Sequence, residues 1–360
     1  GRIEHHGAMI VCFLCGGNWI AGAKAVQLAI WFWAGVSKLT VAFGYVIPVM
    51  VLNNPLVQSA ALRRRMFVAF PDDLRPSRLG RGLAYVGTFL EFAAPLTLLF
   101  VTGPGPLLTI GIVFALLLHG FILGNMPAGA VFEWNLVSIY AAFFLFAGHP
   151  GVTVLDIDSL PLALYLSVGL LVLPLVGNFV PSRVSFLVSM RYYAGNWAWN
   201  AWLFRAGSQH KLDRLKRASP LFRQQLERFA PTEAASMTSR GMAFRSLHLQ
   251  GRCLGLLFPR AIEGRSFADY EYIDGENVAG SVLGWNFGEG HLCDGSLLAA
   301  IQSECDFADG ELRVITVESQ PLFGSSLHWR IFDARRGKLA EGDAALTDLA
   351  RRAPWDYGAT

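Results

Sequence analysis

Between Arg81 and Arg183 the chain contains no Lys and no Arg, and its only acids there are Glu91, Glu133, Asp156 and Asp158. A soluble domain with so long an uncharged stretch would leave extensive apolar surface in water, so the solvent this stretch requires is a bilayer. The remaining charge is placed accordingly. Of 30 Lys/Arg and 27 Asp/Glu in 360 residues, only 9 and 7 fall in residues 1–180. The overall charged fraction of 16% lies below the roughly 25% of ordinary soluble chains. An apolar first half is thus joined to a charged second half, which excludes disordered and coiled-coil classes. The net charge of +3, with no basic run interleaved with aromatics, excludes nucleic acid as the expected partner.

A helix needs about 20 mainly apolar residues to cross a hydrocarbon core of roughly 30 Å. Five stretches meet this: about 20–38, 83–102, 106–125, 131–148 and 161–180. Residues 41–52 are too short and contain Gly44 and Pro48, which suits a re-entrant or broken half-helix. Ala8–Cys15 reads as the tail of an earlier helix. Because the chain opens at Gly1, it is expected to be a fragment lacking N-terminal spans. Cytoplasmic loops collect basic residues. The connection holding Arg63, Arg64, Arg65, Arg75, Arg78 and Arg81 is therefore expected inside, which puts the loop with Asp156 and Asp158 outside and the charged half in the cytoplasm.

The expected fold class is an all-α polytopic transmembrane bundle over residues 1–182, followed by a helical linker over 183–265 and a small cytoplasmic α+β domain over 266–360. In the linker, Tyr192, Tyr193, Trp197, Trp199 and Trp202 have the aromatic density of a headgroup-level segment, so 184–204 is expected to be an interfacial helix. The basic stretch Arg205, Lys211, Arg214, Lys216 and Arg217 would suit an anionic leaflet or a solvated helix face. Pro220 marks a helix start, Ser296–Cys305 a further helix, and the alternation in Glu311–Glu318 and Leu327–Phe332 two strands.

Candidate site residues come first from intramembrane polar groups, which are costly in lipid and face partners or cavities. Glu91 lies roughly 12 Å into its span at 1.5 Å per residue, and His119 in the return helix matches it in depth. A Glu91–His119 hydrogen bond or ion pair is the geometric expectation. Lys38, Asn125, Glu133 and Asn135 fall on the same side of the membrane, suggesting a polar pocket in its cytoplasmic half, while Lys24 is expected to snorkel on the other side. In the charged half, the string Gly284-Trp285-Asn286-Phe287-Gly288-Glu289-Gly290-His291 has a ligand-loop composition, adding Glu289 and His291. His248 and His328 read as structural. Cys12 and Cys15 form a CxxC without a second pair, and no metal is expected.

Two resemblances follow. Trp33-Ala34-Gly35-Val36-Ser37-Lys38-Leu39 resembles the Ala-Gly-x-x-Lys-Leu motif of the HTTM family, the membrane domain shared with vitamin K-dependent gamma-carboxylase, and Glu91, His119 and Phe132-Glu133-Trp134 follow in similar order. The resemblance implies Lys38 as a catalytic base, with His119 and Glu91 relaying protons, on a quinone or isoprenoid-like substrate. The second covers nearly the whole chain. Arg63-Arg64-Arg65-Met66, Pro71-Asp72-Asp73-Leu74-Arg75-Pro76-Ser77-Arg78, Val180-Pro181-Ser182-Arg183 and Met190-Arg191-Tyr192-Tyr193-Ala194-Gly195-Asn196-Trp197 resemble a bacterial transmembrane family of unknown function (domain of unknown function 3556). It implies a multi-pass protein of the bacterial inner membrane and no activity. The expected functions are therefore binding, transfer or scaffolding of a lipid or other lipid-soluble molecule, with the HTTM-type enzyme as the alternative. The cofactor is unknown; the expected partners are the bilayer and a lipid-soluble small molecule.

Overall fold

A computed structural model describes residues 4–125, 131–191, 195–235, 245–284 and 294–353. The chain forms two compact units, Gly1–Phe179 with Leu187–Ala194, and Val180–Phe186 with Gly195–Thr360.

The first unit begins with α1 (Glu4–Leu14), α2 (Trp19–Ser37) and α3 (Phe43–Asn53). Asn18 caps α2 by accepting from Ala21 N at 3.2 Å. A six-residue α4 (Ala60–Arg65) and a hairpin of β1 (Phe67–Ala69) and β2 (Asp73–Pro76) lead to α5 (Arg78–Leu99) and α6 (Pro106–Asn125). Next comes α7 (Val131–Ala141), extended by a π turn over Ala142–Ala147. After a loop, α8 (Leu160–Ser167), a π turn over Val168–Val172 and α9 (Leu173–Phe179) form one continuous rod.

Among the described residues four helices are long and apolar enough to cross a membrane: Trp19–Ser37, Arg78–Leu99, Pro106–Gly124 and Leu160–Phe179. The fifth expected span is a shorter apolar helix, Phe132–Ala147, and Phe43–Asn53 is another. The helix expected from residue 83 starts at Arg78, because Ser77 caps it by accepting from Gly80 N at 3.1 Å. Of the apolar window of α2, 83% is buried, against 22–28% in the other three, so α2 is the axis around which they pack. Close approach is built into the sequence. A Cβ at Gly35 would lie 3.1 Å from the Phe92 ring, and one at Gly111 would lie 2.6 Å from the Leu98 side chain. Pro174 has no N–H to offer the carbonyl four residues back, Leu170 O, and Trp33 Nε1 donates to that carbonyl at 2.7 Å.

Lys24 does not snorkel. It is buried, donating to His149 O at 2.7 Å and to Val152 O, with its ammonium 5.0 Å from the Phe146 ring centroid. These carbonyls follow the π turn, where a helix ends and its acceptors need donors, so a bound cation is better placed there than one stretched toward water.

The second unit contains β3 (Trp199–Arg205), α10 (Phe222–Phe229), α11 (Leu249–Ala261), β4 (Tyr270–Asp274), α12 (Gly275–Leu283), α13 (Ser296–Cys305), β5 (Leu312–Val317), β6 (Ser326–Asp333), β7 (Gly337–Ala345) and α14 (Leu346–Arg351). The strands form an antiparallel sheet in the order β4-β3-β5-β6-β7. Strand periodicity sends Trp202, Phe204, Leu312 and Val314 to one face, where they pack with Val278, Ile301 and Phe307. The other face carries Leu203, Arg313 and Ile315 and is covered by α11. With both faces covered, every residue of β5 is buried.

The expected interfacial helix over 184–204 is corrected. Its C-terminal end is β3, second in the sheet and paired on both edges, so its tryptophans reflect a strand covered on two faces rather than a headgroup position. The sheet thus draws its second strand from the segment expected to be linker. The basic stretch after it is used inside the unit. Lys211 pairs with Glu311, Arg214 Nη1 donates to Cys305 O at 2.7 Å, and Arg217 pairs with Asp213 at 2.6 Å.

At the end of the β5–β6 pair, Arg313 Nε lies 2.6 Å from Asp333 Oδ2, and both side chains are fully withdrawn from solvent. Asp333 also accepts backbone N–H groups from Gly310, Arg335 and Arg336 at 2.8–2.9 Å. Burying a carboxylate requires this number of donors. At the rim, Arg313 and Arg336 donate to Glu263 and pull its carboxyl down to about 2.

Candidate functional site

The first unit brings Lys38, Glu91, His119 and Asn135 to one cavity of about 80 Å³, lined by α2, α3, α5, α6 and α7. Lys38 closes α2, its backbone N–H bonded to Ala34 O and Gly35 O at 3.3 and 3.0 Å. A cation there is favoured by the helix dipole. Gly35, three residues earlier, lets α2 approach Phe92 on α5, and Glu91 beside Phe92 meets Lys38 directly. The two side chains are 7% and 4% exposed, so neither charge has water as a substitute partner. The Lys38 ammonium also lies 5.5 Å from the Phe43 ring centroid.

His119 faces different partners. Trp31 Nε1 donates to its Nε2 at 2.7 Å, and its Nδ1 is 2.7 Å from Asn135 Oδ1. Indole N–H is a donor only, so Nε2 must carry a lone pair, and the ring's proton sits on Nδ1, donated to Asn135. His119 is therefore a neutral ring with a fixed tautomer and both nitrogens engaged. The expected Glu91–His119 bond is corrected. Glu91 bonds to Lys38, while His119 bonds to Trp31, which precedes Lys38 by two turns on α2. Matching depth in a hairpin fixes the level of two side chains but not their rotation about the helix axes.

Walls of Ile30, Ala34, Ile47, Met50 and Leu118 make the rest of the cavity apolar, with Ser138 the other small polar group. Gln27 Nε2 contacts Ser138 Oγ at 3.5 Å. Glu133 is half-buried in the first turn of α7 and does not line the cavity. Asn125 ends α6, and its side chain lies outside the described residues, as do Glu289 and His291. Gly284, at φ 79°, is the left-handed cap of α12. No group of three or more His, Cys, Asp or Glu suited to a metal ion occurs among the described residues.

Trp31 and Ser138 line the cavity but did not stand out in the sequence, while Trp134, also in its lining, entered only through the Phe132-Glu133-Trp134 string. Periodicity holds the missing signal. Trp31 lies seven residues before Lys38, and Ser138 three after Asn135, spacings that put each pair on one helix face.

Chemically, the site presents a paired ammonium and carboxylate near one level, a neutral imidazole with a fixed proton near the other, and apolar walls between. A family model described as a transmembrane protein of unknown function (DUF3556) matches residues 1–359. No curated protein and no solved structure matches the chain.

Proposed function

The chain belongs to this family of transmembrane proteins, and from that premise we propose that its membrane unit binds a lipid-soluble molecule in the Lys38–Glu91 cavity, for transfer or for scaffolding in the bilayer. One observation carries the reading. A buried ion pair and a buried imidazole–amide pair, both expensive to keep in an apolar interior, share the wall of one cavity with apolar side chains. The Lys38 ammonium has three donors, of which Glu91 takes one. The rest can meet an acceptor on a ligand head while the apolar walls take its body.

The HTTM-type alternative makes Lys38 a base on a quinone or isoprenoid-like substrate. An ammonium locked to a carboxylate is a donor rather than a base, and His119, with both nitrogens engaged, has no free site for relaying a proton. These features favour binding.

The test is lipid mass spectrometry on the purified full chain, beside a Lys38→Met/Glu91→Leu variant that keeps the cavity's shape and removes its charges. A lipid-soluble species enriched with the wild type and missing from the variant is the expected result. Identical profiles from two folded proteins would refute the reading. The proposed setting is a bacterial inner membrane with the second unit in the cytoplasm, supported by the arginines between residues 63 and 81. Labelling of single cysteines introduced at Asp213 by a membrane-impermeant reagent in intact cells would contradict that orientation.

A further inference from the structure

The segment between α3 and α5 and the first turn of α5 together carry six arginines, and two of them have partners within it among the described residues. Arg63 Nε donates to Val57 O at 2.8 Å, and Arg75 pairs with Asp73. Arg64, Arg65, Arg78 and Arg81 are exposed, and none of them joins an ion pair among the described residues. The fold gathers these four. Phe67 pairs with Pro76 in the hairpin, Ser77 Oγ donates to Arg65 O at 2.6 Å, and Ser77 N bonds Met66 O at 2.9 Å. The end of α4 is thereby fastened to the start of α5. A Cβ at Gly80 would lie 2.8 Å from Met66 O, so the junction is tight.

Apolar side chains share this surface. Leu62, Val68 and Phe70 are exposed beside the arginines. Along α5, residues 78, 81, 85, 89 and 96 fall within one narrow face at about 100° per residue. That face reads Arg78, Arg81, Tyr85, Phe89 and Leu96, with Tyr85 and Phe89 73% and 60% exposed. An exposed apolar stripe on a membrane span meets acyl chains, a tyrosine marks the headgroup boundary, and the two guanidiniums continue the same face about one turn further. Arginine forks match phosphate oxygens two at a time.

We propose that Arg78 and Arg81, with Arg64 and Arg65 beside them, form a binding site for the phosphate headgroup of an anionic phospholipid whose acyl chains lie along the Tyr85–Phe89 face of α5. The continuity of arginines with a lipid-facing stripe selects a bilayer lipid over free phosphate. The site is separate from the Lys38 cavity and independent of the function proposed for it.

The test titrates the full chain in a nonionic detergent with dioctanoyl phosphatidylglycerol or dioctanoyl phosphatidylcholine, reading bound lipid by native mass spectrometry. Phosphatidylglycerol is expected to bind at least about tenfold tighter than phosphatidylcholine, and R78Q/R81Q to weaken it by roughly fivefold per guanidinium removed. R78K/R81K should retain most of the preference. The control R228Q/R351Q, which removes two exposed arginines elsewhere, should leave it unchanged. Inorganic phosphate at equal concentration should not displace the lipid. Should R78Q/R81Q fail to fold, R64Q/R65Q on the exposed α4 carries the same expectation. Equal affinity for the two lipids, a folded variant within twofold of wild type for phosphatidylglycerol, or displacement by phosphate alone would overturn the proposal.

Discussion

Separating Lys38 from Glu91 gives a sharp test of the candidate site. Their side chains are 7% and 4% exposed, so removing one leaves the other buried without water. Breaking such a pair costs about 3–5 kcal/mol, whereas an exposed pair is worth about 0–1 kcal/mol. The two losses are not equal. After Glu91→Gln, Lys38 keeps the carbonyl end of α2 as a partner and a neutral amide in place of the carboxylate. After Lys38→Met, Glu91 has neither, so Lys38→Met should be the more damaging. Replacing both, as Lys38→Met/Glu91→Leu, removes the desolvation cost with the attraction and should return stability to within about 1–2 kcal/mol of wild type. Peptide-resolved hydrogen exchange over residues 19–37 and 78–99 of the full chain reads this without counting the second unit. A cost of 3–5 kcal/mol corresponds to exchange roughly 10²–10⁴-fold faster in the single variants. Single variants within about fivefold of wild type would show that the pair is not shielded from water. A double variant as labile as Lys38→Met would show that the pair is not mutually compensating. The double variant is also the one expected to lose its ligand, which separates the structural role of the pair from its binding role.

Other expectations concern the second unit. Burial, reinforced by Arg245 and Arg252, holds His248 down to about 3, and Glu263 is held at about 2 by Arg313 and Arg336. Both folded values lie below the unfolded ones, so the stability these groups contribute is present above about pH 6.5 and about pH 4.5 respectively and is lost as pH falls toward 3 and then 2. Exchange protection of residues 312–317 should therefore decline from pH 7 to 4, and His248→Gln should flatten that decline. Asp333→Asn should destabilise the sheet by about 3–5 kcal/mol and Arg313→Met by less, since Asp333 retains three backbone donors when the arginine goes; chemical denaturation followed at the sheet peptides would rank them. Gly251→Ala would put a methyl within 2.3 Å of Arg245 O and 2.5 Å of Ser246 Cα, backbone atoms that cannot step aside, and should cost about 1–3 kcal/mol by the same measurement.

The membrane part was legible because the bilayer acts on composition: a gap in basic residues marks apolar helices whatever their packing. Boundaries were less so. Ser77 caps the start of α5 and Phe100 its end, and a hydropathy window weighs a capping hydroxyl no differently from any polar residue. Helix Ser296–Cys305 and strands β5 and β6 were readable from period alone. Strand β3 was not, because the tryptophans in and before it, Trp197, Trp199 and Trp202, pointed to a membrane surface. At the site, depth along a span follows from counting residues, which grouped Lys38, Glu91, His119 and Asn135. Who bonds to whom depends on helix rotation and on Gly35, whose missing side chain admits the Phe92 ring.

The position of β3 in the sheet has a consequence during synthesis. Its neighbours β4 and β5 lie about 65 and about 107 residues further along the chain. At about 5–20 residues per second, the ribosome leaves Trp199–Arg205 waiting on the order of 5–20 s for its second neighbour. For that interval Trp-Asn-Ala-Trp-Leu-Phe-Arg has two open edges and a sequence suited to pairing with any other strand in reach. Overproduction that outruns completion of the sheet at residue 317 should therefore yield aggregates seeded at β3.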